Sequence, residues 1–148
     1  MMLTFRPYKA GHLLTLVPQE SQREDYAIMV REGYAEAMER GMAMSAWDGH
    51  VCVAAAGLLP LTPHRAAAWA VLSSSAAPCM LGIIRKLRYV LDRVPYARVD
   101  MTVKDGFTGG HRLARALGMK LETPEPMRAY GANGEDEYMY SRVKSWAR

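Results

Sequence analysis

The sequence predicts a mixed α/β domain built on a sheet of six to seven strands with helices on both faces. Three observations carry this expectation. Residues 51–59, Val-Cys-Val-Ala-Ala-Ala-Gly-Leu-Leu, are apolar on both alternating faces, as a central strand covered on each side must be. Met80, Leu81, Ile83, Ile84, Leu87, Val90, Leu91 and Val94 trace one broad apolar stripe at a helical period. A strand-like run at 66–72 precedes that helix and an alternating run at 97–104 follows it. Strand, helix and strand over about 40 residues make a crossover unit, so the two strands are expected to be parallel.

The elements follow in chain order. Leu3 and Phe5 alternate with Thr4 and Arg6 ahead of Pro7, which suits a short strand at the start or edge of a sheet. His12 to Val17 make a turn or two of helix, stopped by Pro18, whose ring disfavours helix at the residue before it. Ser21 and Glu24 have capping-box spacing and open a second helix. Its inner face reads Tyr26, Met29, Val30, Gly33, Tyr34 and Ala37, with Gly33 bending or breaking the run before Gly41. Residues 42–47 and 51–59 flank Asp48-Gly49, which readily supplies positive φ, so they predict two strands and a tight turn.

Residues 60–65 read as a loop, and 66–72 as a buried strand running into Ser73, Ser74 and Ser75. Pro78 suits the first turn of the long helix, whose polar face carries Arg85, Lys86, Arg88, Asp92 and Arg93 and which Pro95 closes. Ala97, Val99, Met101 and Val103 then alternate with Arg98, Asp100, Thr102 and Lys104, predicting one buried face. A short helix at 111–117 turns Leu113 and Leu117 inward and ends at Gly118. Residues 120–130 read as a bent strand that Pro124 and Pro126 keep irregular, 131–134 as a turn, and 138–143 as the last strand.

Length and composition bound the rest. The chain has 148 residues, 50% apolar and 23% charged, which predicts one domain over 1–148. A chain of this size buries roughly 70% of the surface its unfolded form exposes, so global disorder is excluded. No apolar stretch approaches the roughly 18 residues of a membrane span. The first residues lack the pattern of a secretory signal, so the expectation is a cytoplasmic protein without a membrane partner. Cys52 and Cys79 are read as free thiols. A net charge of +4, from 19 basic and 15 acidic residues, is too mild to argue for nucleic acid without a concentrated patch.

The order of elements resembles the GNAT acyltransferase fold. Phe5-Arg6-Pro7 ends the first strand, Asp48-Gly49 makes the hairpin, and Leu117-Gly118-Met119 stands where GNAT proteins commonly have Leu-Gly-Phe after the last helix. The spacing is more specifically similar to the short GNAT-like proteins of T7-type tailed phages, grouped with the T7 gene 13 internal virion protein. That likeness rests on Trp69, the basic long helix, the run from His111 through Met119, and Gly131 through Tyr140.

The resemblance implies an acyl-coenzyme A, acetyl-CoA in the first instance, between splayed fourth and fifth strands. Its pyrophosphate would lie on backbone amides at the start of the long helix, where unpaired N–H groups and the helix dipole attract anions. In this sequence that place is Leu72, Ser73, Ser74, Ser75, Ala76, Ala77, Cys79 and Met80, with His111 near the mouth. The family's glycine-bearing signature is absent there: Pro78 removes one donor and the first glycine is Gly82. The resemblance further implies attack of an amine on a thioester, with an acid to protonate the leaving thiolate. Ala114 stands where the family often has that acid as tyrosine, so Tyr138 and Tyr140 on the last strand are the candidate acids.

The remaining residues have plainer readings. His12, His50, His64 and His111 show no metal-ligand spacing, so no metal is expected. Cys79, in the first turn of the long helix, is placed where the dipole favours thiolate, although a small residue packed under the loop explains it as well. Arg85, Lys86, Arg88 and Arg93 with Arg112 and Arg115 make a nucleic-acid surface only if both helices present them on one face; a solvated face is expected. Two functions follow. One is an acyl-CoA-dependent N-acyltransferase with a degenerate cofactor motif and an unidentified amine acceptor. The other is a non-catalytic protein of virion morphogenesis that binds phage proteins through the same scaffold.

Overall fold

A computed structural model describes residues 2–147. Its strands are β1 (Leu3–Pro7), β2 (Met42–Asp48), β3 (Val51–Thr62), β4 (Arg65–Leu72), β5 (Arg98–Lys104), β6 (Lys120–Leu121) and β7 (Glu137–Val143). The helices are α1 (Ala10–Thr15), α2 (Arg23–Arg31), α3 (Tyr34–Ala37), α4 (Met80–Arg93) and α5 (Thr108–Ala116), with 3-10 turns at Glu20–Gln22, Met38–Arg40 and Ala77–Cys79. The seven strands form one sheet in the order β1-β2-β3-β4-β5-β7-β6. β4 and β5 are parallel, with Arg65, Ala66 and Ala67 opposite Arg98, Val99 and Asp100. The mixed α/β class, the strand number and the parallel pair are thus as the sequence predicts.

Close backbone neighbours group into two units, Met1–Leu59 with Ala68–Ile83 and Pro60–Ala67 with Ile84–Arg148. In the first unit, α1 and the turn after α3 set Leu13, Leu16, Ala35 and Met38 against Trp47, Cys52, Ala55 and Val71 of the strands. Each large apolar side chain taken fully from water there contributes about 1.5–3 kcal/mol. Tyr8 closes the cluster, its hydroxyl donating to Ala35 O at 2.8 Å. Tyr26 donates to Leu13 O at 2.9 Å.

In the second unit, β5 pairs antiparallel with β7 along its whole length, from Arg98 opposite Val143 to Lys104 opposite Glu137. α5 lies so close to β5 that a Cβ on Gly110 would stand 2.7 Å from Val103 Cγ1. Arg88 of α4 donates to Ala116 O at the end of α5 at 3.0 Å. Lys144 Nζ donates to Leu91 O and Asp92 O at 2.9 and 2.8 Å, a cation satisfying the last carbonyls of α4.

Several boundaries differ from the sequence reading, each for a physical reason. Ser21 does not cap α2: 20–22 close a 3-10 turn first, and the cap position falls on Gln22. Gly33 adopts φ +75°, which breaks the run and rotates the face that follows. Tyr34 and Ala37 are therefore exposed, and Ala35 and Met38 are buried in their place. β3 continues through Pro60 to Thr62, so the expected loop at 60–65 shrinks to the turn at 63–64. α5 starts at Thr108 despite two glycines, because Gly110 lets the helix settle on β5. The bent strand at 120–130 is ordered as a strand only at Lys120–Leu121, since Pro124 and Pro126 cannot donate to a ladder. Asp100, expected on a polar face, is 5% exposed. Arg65 and Arg98 bond its two carboxylate oxygens at 3.2 and 2.5 Å.

Candidate functional site

Along β4 the backbone groups of successive residues turn to opposite edges. Ser73 N donates to Val53 O of β3 at 2.8 Å, so the even-numbered residues 70, 72 and 74 direct their N–H and C=O away from β3. Those groups have partners. Gln22 Nε2 donates to Ala70 O at 2.8 Å, and Leu72 N donates to Gln22 Oε1 at 2.9 Å. Gln19 N donates to Leu72 O at 2.9 Å and Ser74 N donates to Val17 O at 3.0 Å, with Pro18 and Ser73 forming an antiparallel bridge. Gln19 Nε2 also donates to Gln22 Oε1 at 2.9 Å. Residues 17–22 are thus a strap held against the side of β4 that faces away from β3.

The loop after β4 is closed by its own bonds. Ser75 N donates to Ser73 Oγ at 3.1 Å, Ala76 N to Ser73 O at 3.1 Å and Cys79 N to Ala76 O at 2.8 Å. Met80 N donates to Ala77 O, and Pro78 has no N–H to offer. The amides of Ser74, Ser75, Ala76, Cys79 and Met80 are therefore engaged within the chain. An extended amide-bearing ligand would meet these groups of β4 only in place of residues 17–22. Of the nominated loop residues, Ser73, Ala76 and Cys79 are buried, Ser74, Ser75 and Ala77 exposed, and Leu72 and Met80 half-buried.

In the second unit the structure brings His111, Tyr138 and Tyr140 together. His111 Nε2 lies 3.2 Å from Lys104 O, and a carbonyl only accepts, so Nε2 carries the proton. Nδ1 is then the acceptor, and Tyr140 Oη, 2.7 Å away, donates to it. Tyr140 is 1% exposed, so its hydroxyl is committed to this bond. The Tyr138 ring meets the His111 ring edge-on at 5.5 Å and is half-buried. Ala114 is fully buried and has no proton to give.

Cys79 does not behave as the helix dipole suggests. It is 1% exposed and burial pushes its thiol pKa up, so packing under the loop describes it. Among the described residues no three His, Cys, Asp or Glu side chains cluster to hold a metal ion, and no helix is long and apolar enough to cross a membrane. A cavity of about 420 Å³ along β6 and β7 is lined by Gly118, Lys120, Glu122, Ser141 and Arg142 among others, none of them nominated from sequence. Sequence reasoning also missed Gln19 and Gln22. Their only local signal was the absence of a helical start directly after Pro18, and the capping-box pattern at Ser21 masked it.

No protein-family model matches the chain, and no curated protein matches its sequence. Solved structures do match in fold. A GNAT-superfamily phosphinothricin acetyltransferase from Sinorhizobium meliloti, in complex with acetyl-CoA, aligns with a TM-score of 0.67 at 16% identity, over 99% of this chain and 91% of that one. The ribosomal-protein-S18-alanine N-acetyltransferase of Escherichia coli aligns with a TM-score of 0.69 at 18% identity, over 99% and 97%. The Salmonella typhimurium protein yncA, solved with its cofactor acetyl-CoA, aligns with a TM-score of 0.70 at 12% identity, over 100% and 98%. Strand order, parallel central pair and full-length alignment together show that this chain adopts the GNAT acetyltransferase fold.

Proposed function

We propose that the chain is an acyl-CoA-dependent N-acyltransferase of the short phage type that its sequence resembles, using acetyl-CoA and an amine acceptor. The observation that carries this reading is the β4 edge. Ala70 O and Leu72 N together engage one carboxamide, that of Gln22. A pantetheine amide offers the same N–H and C=O pair, and two of the structures sharing this fold hold acetyl-CoA. Bound acetyl-CoA would supply an activated thioester.

The chain's own contribution is positioning and one proton. Ala70, Leu72 and Ser74 provide the edge, while Ser73, Ser75, Ala76, Ala77, Cys79 and Met80 shape the loop beyond it. The Tyr140 hydroxyl is committed to its hydrogen bond to His111, so Tyr138 is the hydroxyl left to hold a proton for the departing thiolate in this reading. His111, held by Tyr140 and Lys104 O, meets the Tyr138 ring edge-on at 5.5 Å and is a positioning residue for it.

Three observations favour a second reading, a non-catalytic virion-morphogenesis protein. The amides of Ser75, Ala76, Cys79 and Met80 are engaged internally, Pro78 lacks one, and alanine stands at position 114. Calorimetry with acetyl-CoA separates the two. The enzyme reading expects binding that weakens at least fivefold in Ala77→Asp, which sets a carboxylate beside the anion position. It also expects Tyr138→Phe to slow thiol release in an acetyl-transfer assay without altering affinity. No binding, even after Gln22→Ala frees the β4 edge, would overturn it in favour of the second reading.

A further inference from the structure

We infer that residues 17–22 are an intramolecular plug that competes with acyl-CoA for the side of β4 turned away from β3, so that the protein binds its cofactor only when this strap swings away. The inference rests on the N-acyltransferase reading and adds its regulation. The strap makes the bonds that an extended amide-bearing ligand would make. It engages Ala70 O, Leu72 N and Leu72 O of β4 and Ser74 N just beyond it, every second residue along the chain. It does so partly through a side-chain carboxamide rather than a regular strand, which marks it as an occupant of the edge more than a member of the sheet.

The strap is also built to leave. Leu16 (2% exposed) anchors it on one side and Ala35 (1%) and Met38 (9%) on the other. Between these anchors no side chain belongs to the buried core: Val17 is 65% exposed, and neither the turn at Glu20–Gln22 nor α2 contains a buried residue. Few buried apolar contacts are the feature of a segment that opens without unfolding the rest. Tyr26 and Met29 remain half-buried on the cluster and tether it. The ligand therefore selects an open population, and its apparent affinity is reduced by the fraction closed.

Two variants test the plug. Gln22→Ala deletes the carboxamide. Gln19→Pro deletes the N–H that bonds Leu72 O, at a residue whose φ of −62° already suits proline. Each is expected to bind acetyl-CoA roughly tenfold more tightly than the parent, as loss of one or two bonds to the closed state predicts. Amide exchange of Gln19 in the parent should accelerate as acetyl-CoA saturates. Binding of equal strength in all three proteins, with Gln19 exchange unchanged by ligand, would overturn the plug and leave the acyltransferase reading standing. No binding by any of them would overturn both. Circular dichroism confirms that each variant is folded before its affinity is read.

Discussion

His12 sits in a closed set of bonds whose protonation state can be read from its partners. Lys9 N donates to His12 Nδ1 at 3.3 Å, so that nitrogen is an acceptor, and the Ser45 hydroxyl donates to it at 2.8 Å. Ser45 Oγ in turn accepts from Trp47 Nε1 at 2.9 Å, and Arg6 stacks on the Trp47 ring. Burial, then Arg6 and Lys9, hold the His12 pKa below its ordinary value. The unfolded chain therefore takes up this proton first. Stability is present above the ordinary histidine value of about 6.5 and declines as pH falls through it toward the folded value. Urea midpoints at about pH 7.5 and about pH 5.5 should fall more for the parent than for His12→Gln. Equal falls would refute the bonding scheme. Cys52 and Cys79 give a second residue-level test. Both are buried with thiol pKa values raised by that burial, so alkylation in native buffer should be slow and accelerate on unfolding.

Helix and strand placement turns on two glycines that sequence periodicity treats as breakers. A Cβ on Gly110 would stand 2.7 Å from both Val103 Cγ1 and Phe107 Cδ2, so Gly110→Ala forces α5 off β5. A loss of about 1–3 kcal/mol is expected by chemical denaturation. On Gly57 a Cβ would meet Ala43 Cβ at 2.6 Å, Met42 O at 2.7 Å and Trp69 Nε1 at 2.9 Å, so Gly57→Ala should cost at least as much. The Trp69 indole N–H is buried with no partner among the described residues. The long helix was legible because its stripe is a local pattern. The start of α2 was not, because Gln22 answers to Ala70 and Leu72, far away in sequence.

For the whole molecule, charge pairing predicts a directional response to acid. The Arg98 guanidinium bonds Glu122 and holds its carboxyl below the usual carboxylate range, and Arg142 does the same for Asp92. For a depressed carboxyl, stability is present above the ordinary pKa and is lost as pH falls through the lower folded value. Acid unfolding of Glu122→Gln should accordingly be less steep than that of the parent, and the difference should shrink in about 1 M salt, since these pairs are partly exposed. A wild-type slope retained in the variant would remove the pair from the account. What the sequence by itself determined is the architecture: alternation in β5, an apolar run in β3, the stripe of α4 and the Asp48-Gly49 hairpin each depend on neighbours a few residues apart. What only the tertiary structure decided is which distant groups become partners. The strap on β4, the burial of Asp100 between two arginines, and the donation from Tyr140 to His111 join residues that local periodicity cannot relate. Their partners are set by which edges and faces remain unsatisfied once the sheet has formed.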